Sequence, residues 1–154
     1  MRHDEMVDLI RGAVPRSGGI WADLGAGTGN FTRALSALLG SHATIYAVDK
    51  YLPQPSLQSQ GYVSTVQWQQ ADFTGPMALP MLDGILIANA LHFVTDQAKV
   101  LAHICSYLRP GGRFVLVEYR NQSSLLGEFM RKWLPLAGQC RPVAACVQGS
   151  AGYN

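Results

Sequence analysis

Residues 23–29 read Asp23-Leu24-Gly25-Ala26-Gly27-Thr28-Gly29. They join an apolar run, Ile20-Trp21-Ala22-Asp23-Leu24, to a segment in which Phe31, Leu35, Leu38 and Leu39 recur at helical spacing until Gly40. The unit they spell is strand, glycine turn, helix. Its glycines allow positive φ and let the backbone approach a ligand closely. In an open parallel sheet the first such turn is where ligands collect, because strand carboxyl ends and a helix N-terminus converge there. The spacing narrows the choice of ligand. A dinucleotide fingerprint, G-x-G-x-x-G, starting at Gly25 and Gly27 requires glycine at position 30, where this chain has Asn30. The carboxylate of Asp23, two positions before the first glycine, would repel a pyrophosphate and suits a ligand bearing a cationic amine.

The same alternation of periods extends to both sides. Residues 4–13 place Met6, Leu9, Ile10 and Ala13 on one face of a short helix that Arg16-Ser17-Gly18-Gly19 terminates. Ala43 to Val48 reads as a second strand and Val63 to Gln69 as a third, with Pro53 and Pro55 arguing against a long helix between them. Asp83 to Asn89 is apolar enough to be buried on both faces, as parallel strands are. Thr95 is a candidate cap for a helix carrying Val100, Leu101, Ile104, Cys105 and Leu108. Pro110-Gly111-Gly112 ends it before a fifth strand, Arg113 to Tyr119. Strands alternating with helices predict an α/β fold: a doubly wound, mainly parallel sheet with helices on both faces. Residues 1–154 read as a single domain with a ligand-binding core over about 18–119. Residues 123–134 are expected to add a helix, Pro142 to Gln148 a short strand, and the final GSAGYN to fray.

Composition excludes several function classes. The chain has 154 residues, 48% hydrophobic and 14% charged, which is one ordered domain's worth. Twelve basic against ten acidic side chains give a net charge of +2, and no basic run exceeds Arg131-Lys132, so a nucleic-acid partner is not expected. No stretch approaches the ~20 apolar residues of a membrane span, and the mixed-sign MRHDEMVDLI start is unlike a secretory signal. Cys105, Cys140 and Cys146 form no C-x-x-C pair, which suggests neither a disulfide framework nor a zinc cluster and fits a reducing cytoplasm.

From residue 20 to about 119 these motifs, in register, resemble class I S-adenosylmethionine-dependent methyltransferases, in which D-x-G-x-G-x-G is the first motif. The resemblance implies a Rossmann-like fold, S-adenosylmethionine as cofactor and S-adenosylhomocysteine as product. It assigns cofactor binding to Asp23, Gly25, Ala26, Gly27 and Gly29 in the first motif. Asp49, with Lys50 beside it, closes the second strand and matches the family's ribose-binding acid. Asp72-Phe73 matches the acid and apolar neighbour that meet the adenine. Asn89, at the end of the fourth strand, would offer its backbone carbonyl to the cofactor's amino end. Leu108-Arg109-Pro110-Gly111-Gly112 resembles the family's turn before strand five. His92 would lie near the transferred methyl and is the candidate general base, with an orienting or packing role as its competitor.

After strand four the chain has Asn89-Ala90-Leu91-His92 rather than N/D-P-P-[YFW], which favours a small-molecule acceptor, and no metal-ligand cluster accompanies it. Simpler readings stand beside these: Asp49 as a solvated strand-end carboxylate, Asp72 as an Asx-turn former, and Asp83 as a solvent-facing residue at a strand entrance. His3, His42 and His103 read as surface or packing residues, and Trp21, Trp68 and Trp133 as core or amphipathic-face aromatics. Two rival functions stay open, an NAD-type oxidoreductase and a cofactor-binding module without catalysis. Little of the chain is left to wall in an acceptor, so a homodimer or a large acceptor is expected to complete that side.

Overall fold

The computed structural model describes residues 1–119 and 141–147. In chain order the elements are α1 (His3–Arg11), β1 (Gly19–Leu24), α2 (Asn30–Leu39), β2 (Ala43–Asp49), α3 (Pro55–Ser59) and β3 (Thr65–Gln70). There follow β4 (Leu82–Ala88), a 3-10 turn (Leu91–Phe93), α4 (Gln97–Cys105), β5 (Leu108–Tyr119) and β6 (Arg141–Val147). The strands form one sheet in the order β3-β2-β1-β4-β5-β6, and every neighbouring pair is parallel. This is the doubly wound arrangement that the sequence predicts. The chain builds outward from β1 to β3 and then crosses back to β4, so the switch point, with its crevice, lies at the carboxyl ends of β1 and β4.

Side-chain alternation divides the core between the two faces of the sheet. Ala22, Leu24, Ile85, Ile87, Phe114 and Leu116 pack on one face with Val100, Leu101 and Ile104 of α4. Trp21, Ile45, Leu86, Val115 and Val117 pack on the other with Met6 and Ile10 of α1 and Leu35 and Leu39 of α2. Period 2 in the strands and 3.6 in the helices thus meet at both interfaces. Trp21 pairs in register with Gly84, and the indole occupies the space a Cβ at position 84 would need.

Several local expectations change. The cap of α4 is Asp96, whose side chain accepts from Lys99 N at 3.2 Å, rather than Thr95. Strand β5 starts at Leu108, not Arg113, because Pro110-Gly111-Gly112 is absorbed as a bulge: the register passes from Leu82↔Leu108 to Gly84↔Arg113. Asp83 does not simply face solvent. It accepts from Ile20 N at 2.8 Å and pairs with Arg109 Nη1 at 2.8 Å, tying the starts of β1 and β5 to β4. The prolines do limit the β2–β3 crossover, leaving α3 five residues long with no buried residue. Polar bonds from α2 hold this crossover in place: Arg33 donates to the carbonyls of Gln60 and Leu57, and Ser36 Oγ accepts from Val63 N and Ser64 N at 2.8 Å each. Strand β6 runs Arg141–Val147, one residue earlier than expected, and pairs parallel with β5. Among the described strands β6 is outermost in the sheet. The helix expected at 123–134 and the expected frayed end lie outside the described residues.

Candidate functional site

The glycine turn after β1 folds back against the end of β2, where Gly25 N and Ala26 N both donate to Val48 O, at 2.8 and 3.0 Å. Gly25 has φ 77°, and a Cβ there would come within 2.7 Å of Ala90 Cβ and 3.3 Å of the Phe73 ring. Both the dihedral and the space therefore require glycine. That contact brings three separate stretches together: the glycine turn, Asp72-Phe73 after β3, and the segment after β4. Gly27 faces open space, whereas a Cβ at Gly29 would run into the Tyr62 hydroxyl and sit 3.2 Å from Trp68. Gly29 also precedes α2 without any capping side chain, leaving the first-turn amides of a ten-residue helix available.

Asp23, 1% exposed, points toward α2 and accepts from Thr32 Oγ1 at 2.6 Å. Burial is the main cause that pushes its carboxyl up to about 7; the Thr32 bond opposes this and the nearby charge of Asp49 adds to it. Its second oxygen, Oδ1, is buried with no partner among the described residues, and so is Asn89 Oδ1 just beyond β4. Buried polar atoms are normally satisfied. Here two acceptors on adjacent strand ends lack a donor, an arrangement complementary to a group that brings N–H. Asn89 also adopts φ 54°, a left-handed conformation, while its own amide donates to Val117 O at 2.8 Å.

Asp49 closes β2 with each oxygen engaged: Oδ2 accepts from Gly27 N and Oδ1 from Tyr51 N, both at 2.9 Å. It is thus built into the glycine turn rather than being a strand-end carboxylate left to solvent. Lys50 Nζ lies 3.2 Å from Asp72 Oδ2. Asp72 Oδ1 accepts from both Thr74 Oγ1 and Thr74 N, which, ahead of the lysine, holds the carboxyl below its usual range. The turn-forming reading of Asp72 is therefore correct as far as it goes, and its remaining oxygen faces Lys50.

His92 sits in the 3-10 turn after β4. Its Nδ1 lies 2.9 Å from Oε2 of Glu118, a side chain 2% exposed near the end of β5. Glu118 Oε1 accepts from Leu91 N at 3.1 Å. Sequence reading missed this partner. The available signal was periodicity: Glu118 continues the face of Phe114 and Leu116, so alternation puts its carboxylate in a core position. His103, read as a surface or packing residue, joins its Nε2 to Gly75 O at 2.8 Å and meets Tyr107 edge-on. Tyr51 and Phe93 follow β2 and β4 as strongly exposed rings at the carboxyl end of the sheet. Among the described residues no cluster of His, Cys, Asp and Glu could hold a metal, and no helix is long and apolar enough to cross a membrane.

Comparison with known proteins gives three results. Residues 22–116 match the methyltransferase domain family. The ubiquinone/menaquinone biosynthesis C-methyltransferase UbiE of Marinomonas sp. (strain MWYL1) is 31% identical over 147 residues, covering 82% of this chain and 59% of that protein. The chain therefore spans little more than half the length of that curated relative. Among solved structures, the 1,6-didemethyltoxoflavin-N1-methyltransferase of Burkholderia thailandensis, with 1,6-didemethyltoxoflavin and S-adenosylhomocysteine bound, aligns with a TM-score of 0.55 at 26% identity, over 73% of this chain and 49% of that one. A methyltransferase from Aquifex aeolicus aligns with a TM-score of 0.57 at 19% identity, over 70% of this chain and 60% of that one, and so shares the fold.

Proposed function

Because this chain belongs to the S-adenosylmethionine-dependent methyltransferase family, we propose that it transfers a methyl group from S-adenosylmethionine to a small hydroxylated aromatic acceptor, a hydroquinone or related phenol. One observation carries the cofactor side: the buried oxygens of Asp23, on β1, and Asn89, just beyond β4, that have no partner among the described residues. The cofactor's ammonium supplies the missing donors. Its carboxylate suits the uncapped first turn of α2. Asp49, already fixed by Gly27 N and Tyr51 N, keeps lone pairs for the ribose hydroxyls. Lys50, 3.2 Å from Asp72, would hold that carboxylate for the adenine amine, and Phe73, packed near Gly25, would flank the ring.

S-adenosylmethionine brings an activated methyl on a sulfonium whose departure leaves a neutral thioether, so the chain's principal task is alignment. His92, beyond β4, is the candidate to take the acceptor's hydroxyl proton. The acceptor class is supported by the C-methyltransferase activity named for the UbiE relative and by the exposed rings of Tyr51 and Phe93 at the same end of the sheet. The exposed Leu52 beside Tyr51 and a charge fraction of 14% are compatible with a cytoplasmic homodimer.

Calorimetric titration with S-adenosylhomocysteine tests the cofactor assignment. Wild type should bind one equivalent, and Asp49→Ala should lose about 1.5–3 kcal/mol of affinity, the range for removing a charged hydrogen-bond partner. Equal affinity in the two proteins would remove Asp49 from the ribose site.

A further inference from the structure

We propose that Glu118 is the positioning residue for His92: it fixes the imidazole as the Nδ1–H tautomer, so that bare Nε2 serves as the base toward a hydroxylated acceptor. This rests on the methyl-transfer reading above and adds to it the residue that makes the base competent. The geometry is specific. A carboxylate only accepts, so a neutral His92 facing Glu118 Oε2 at 2.9 Å through Nδ1 must carry its hydrogen there. The other oxygen is held by Leu91 N at 3.1 Å, which prevents the carboxylate from rotating away. Glu118 is 2% exposed and therefore shielded from competing water, whereas the His92 side chain keeps 21% exposure. Its Nε2 has no bond to any described residue. A rigid, buried acceptor on one ring nitrogen, with the second nitrogen unbonded by any described residue beyond the carboxyl end of β4, is how a histidine is prepared as a base.

The step balances without another reactant. Nε2 takes the acceptor's O–H proton, and the electron pair released forms the new bond to methyl, at oxygen or through the conjugated ring carbon. The carbon–sulfur pair stays on sulfur. When ring carbon is the nucleophile, its C–H proton then leaves to water, aromaticity returns, and the phenolate oxygen takes back the proton held on His92 Nε2. In either case one methyl is gained and one proton lost.

Two measurements test the proposal. Nitrogen-15 correlation spectra of the full chain, which has four histidines to assign, report the His92 tautomer with or without any turnover. The expected result is Nδ1–H in wild type and a switch toward Nε2–H in Glu118→Gln, whose amide can donate to Nδ1. A wild-type spectrum showing Nε2–H overturns the proposal, even if no acceptor is ever methylated or the variant does not fold. With S-adenosylmethionine and a hydroquinone lacking a ring methyl, Glu118→Gln and His92→Ala should each lower kcat about 10²-fold with little change in S-adenosylhomocysteine affinity. The double variant should be no slower than His92→Ala. If Glu118→Gln slows the His92→Ala background as much as it slows wild type, Glu118 acts only as a structural anchor for Leu91 and the positioning role is wrong. Absence of methyl transfer in wild type with the expected tautomer would count against the acceptor class, not against the pair.

Discussion

Asp23 couples the chemistry of the site to pH. Its carboxyl is pushed up to about 7, from an ordinary value of 3.8, chiefly by burial. Between those values the folded chain holds a proton that the unfolded chain has released. The contribution of Asp23 to stability is therefore complete at low pH, declines as pH rises through this window and is lost above about 7. Asp23→Asn, neutral throughout, should remove that slope: the difference in unfolding free energy between wild type and variant should shift against wild type from pH 5 to 8. A ligand ammonium acts in the opposite sense by favouring the charged carboxylate, so S-adenosylhomocysteine should bind wild type more tightly as pH rises through 7, with proton release below it. Titrations in buffers of different ionisation enthalpy measure that release, and Asp23→Asn should abolish it. A wild-type affinity that does not change with pH would show that Asp23 does not face the ammonium.

At the scale of elements, the turn after β1 was legible because its chemistry is local: Gly25 has the φ and the crowding that glycine runs announce, and Asp23 lies two positions before it. The five-residue α3 was legible in the same way, from Pro53 and Pro55. What escaped the sequence reading depends on partners far along the chain. Asp83 reads as a strand-entrance carboxylate until Arg109 is placed beside it, and Glu118, one more position on the β5 face of Phe114 and Leu116, gains a role only when the segment after β4 brings His92 against it. Local periodicity places a residue on a face but does not say what meets it there. The same logic makes Gly84 informative. Its pairing with Trp21 leaves no room for a Cβ, so Gly84→Ala should cost about 1–3 kcal/mol of unfolding free energy through overpacking. Denaturant titration should show that loss, and a variant as stable as wild type would contradict the β1–β4 register.

Among the described residues, the groups proposed to face the cofactor and acceptor lie at one end of the sheet. The turn after β1, Asp49 at the end of β2, Asp72-Phe73 after β3, Asn89 and His92 after β4 and Glu118 near the end of β5 all lie at strand carboxyl ends. A doubly wound sheet converges there, and the two core layers fix those strands on both faces. On the proposed function, cofactor binding and acceptor activation would both follow from strand order. The central claim is that this end of the sheet transfers a methyl group, and the direct measurement is incubation of the chain with methyl-labelled S-adenosylmethionine and a hydroquinone lacking a ring methyl, followed by organic extraction. Label should appear in the extracted aromatic product with stoichiometric formation of S-adenosylhomocysteine, and its rate should fall about 10²-fold in His92→Ala. Tight S-adenosylhomocysteine binding with no label transferred to the hydroquinone or to any component of a metabolite extract would contradict the claim and leave a cofactor-binding domain without catalysis.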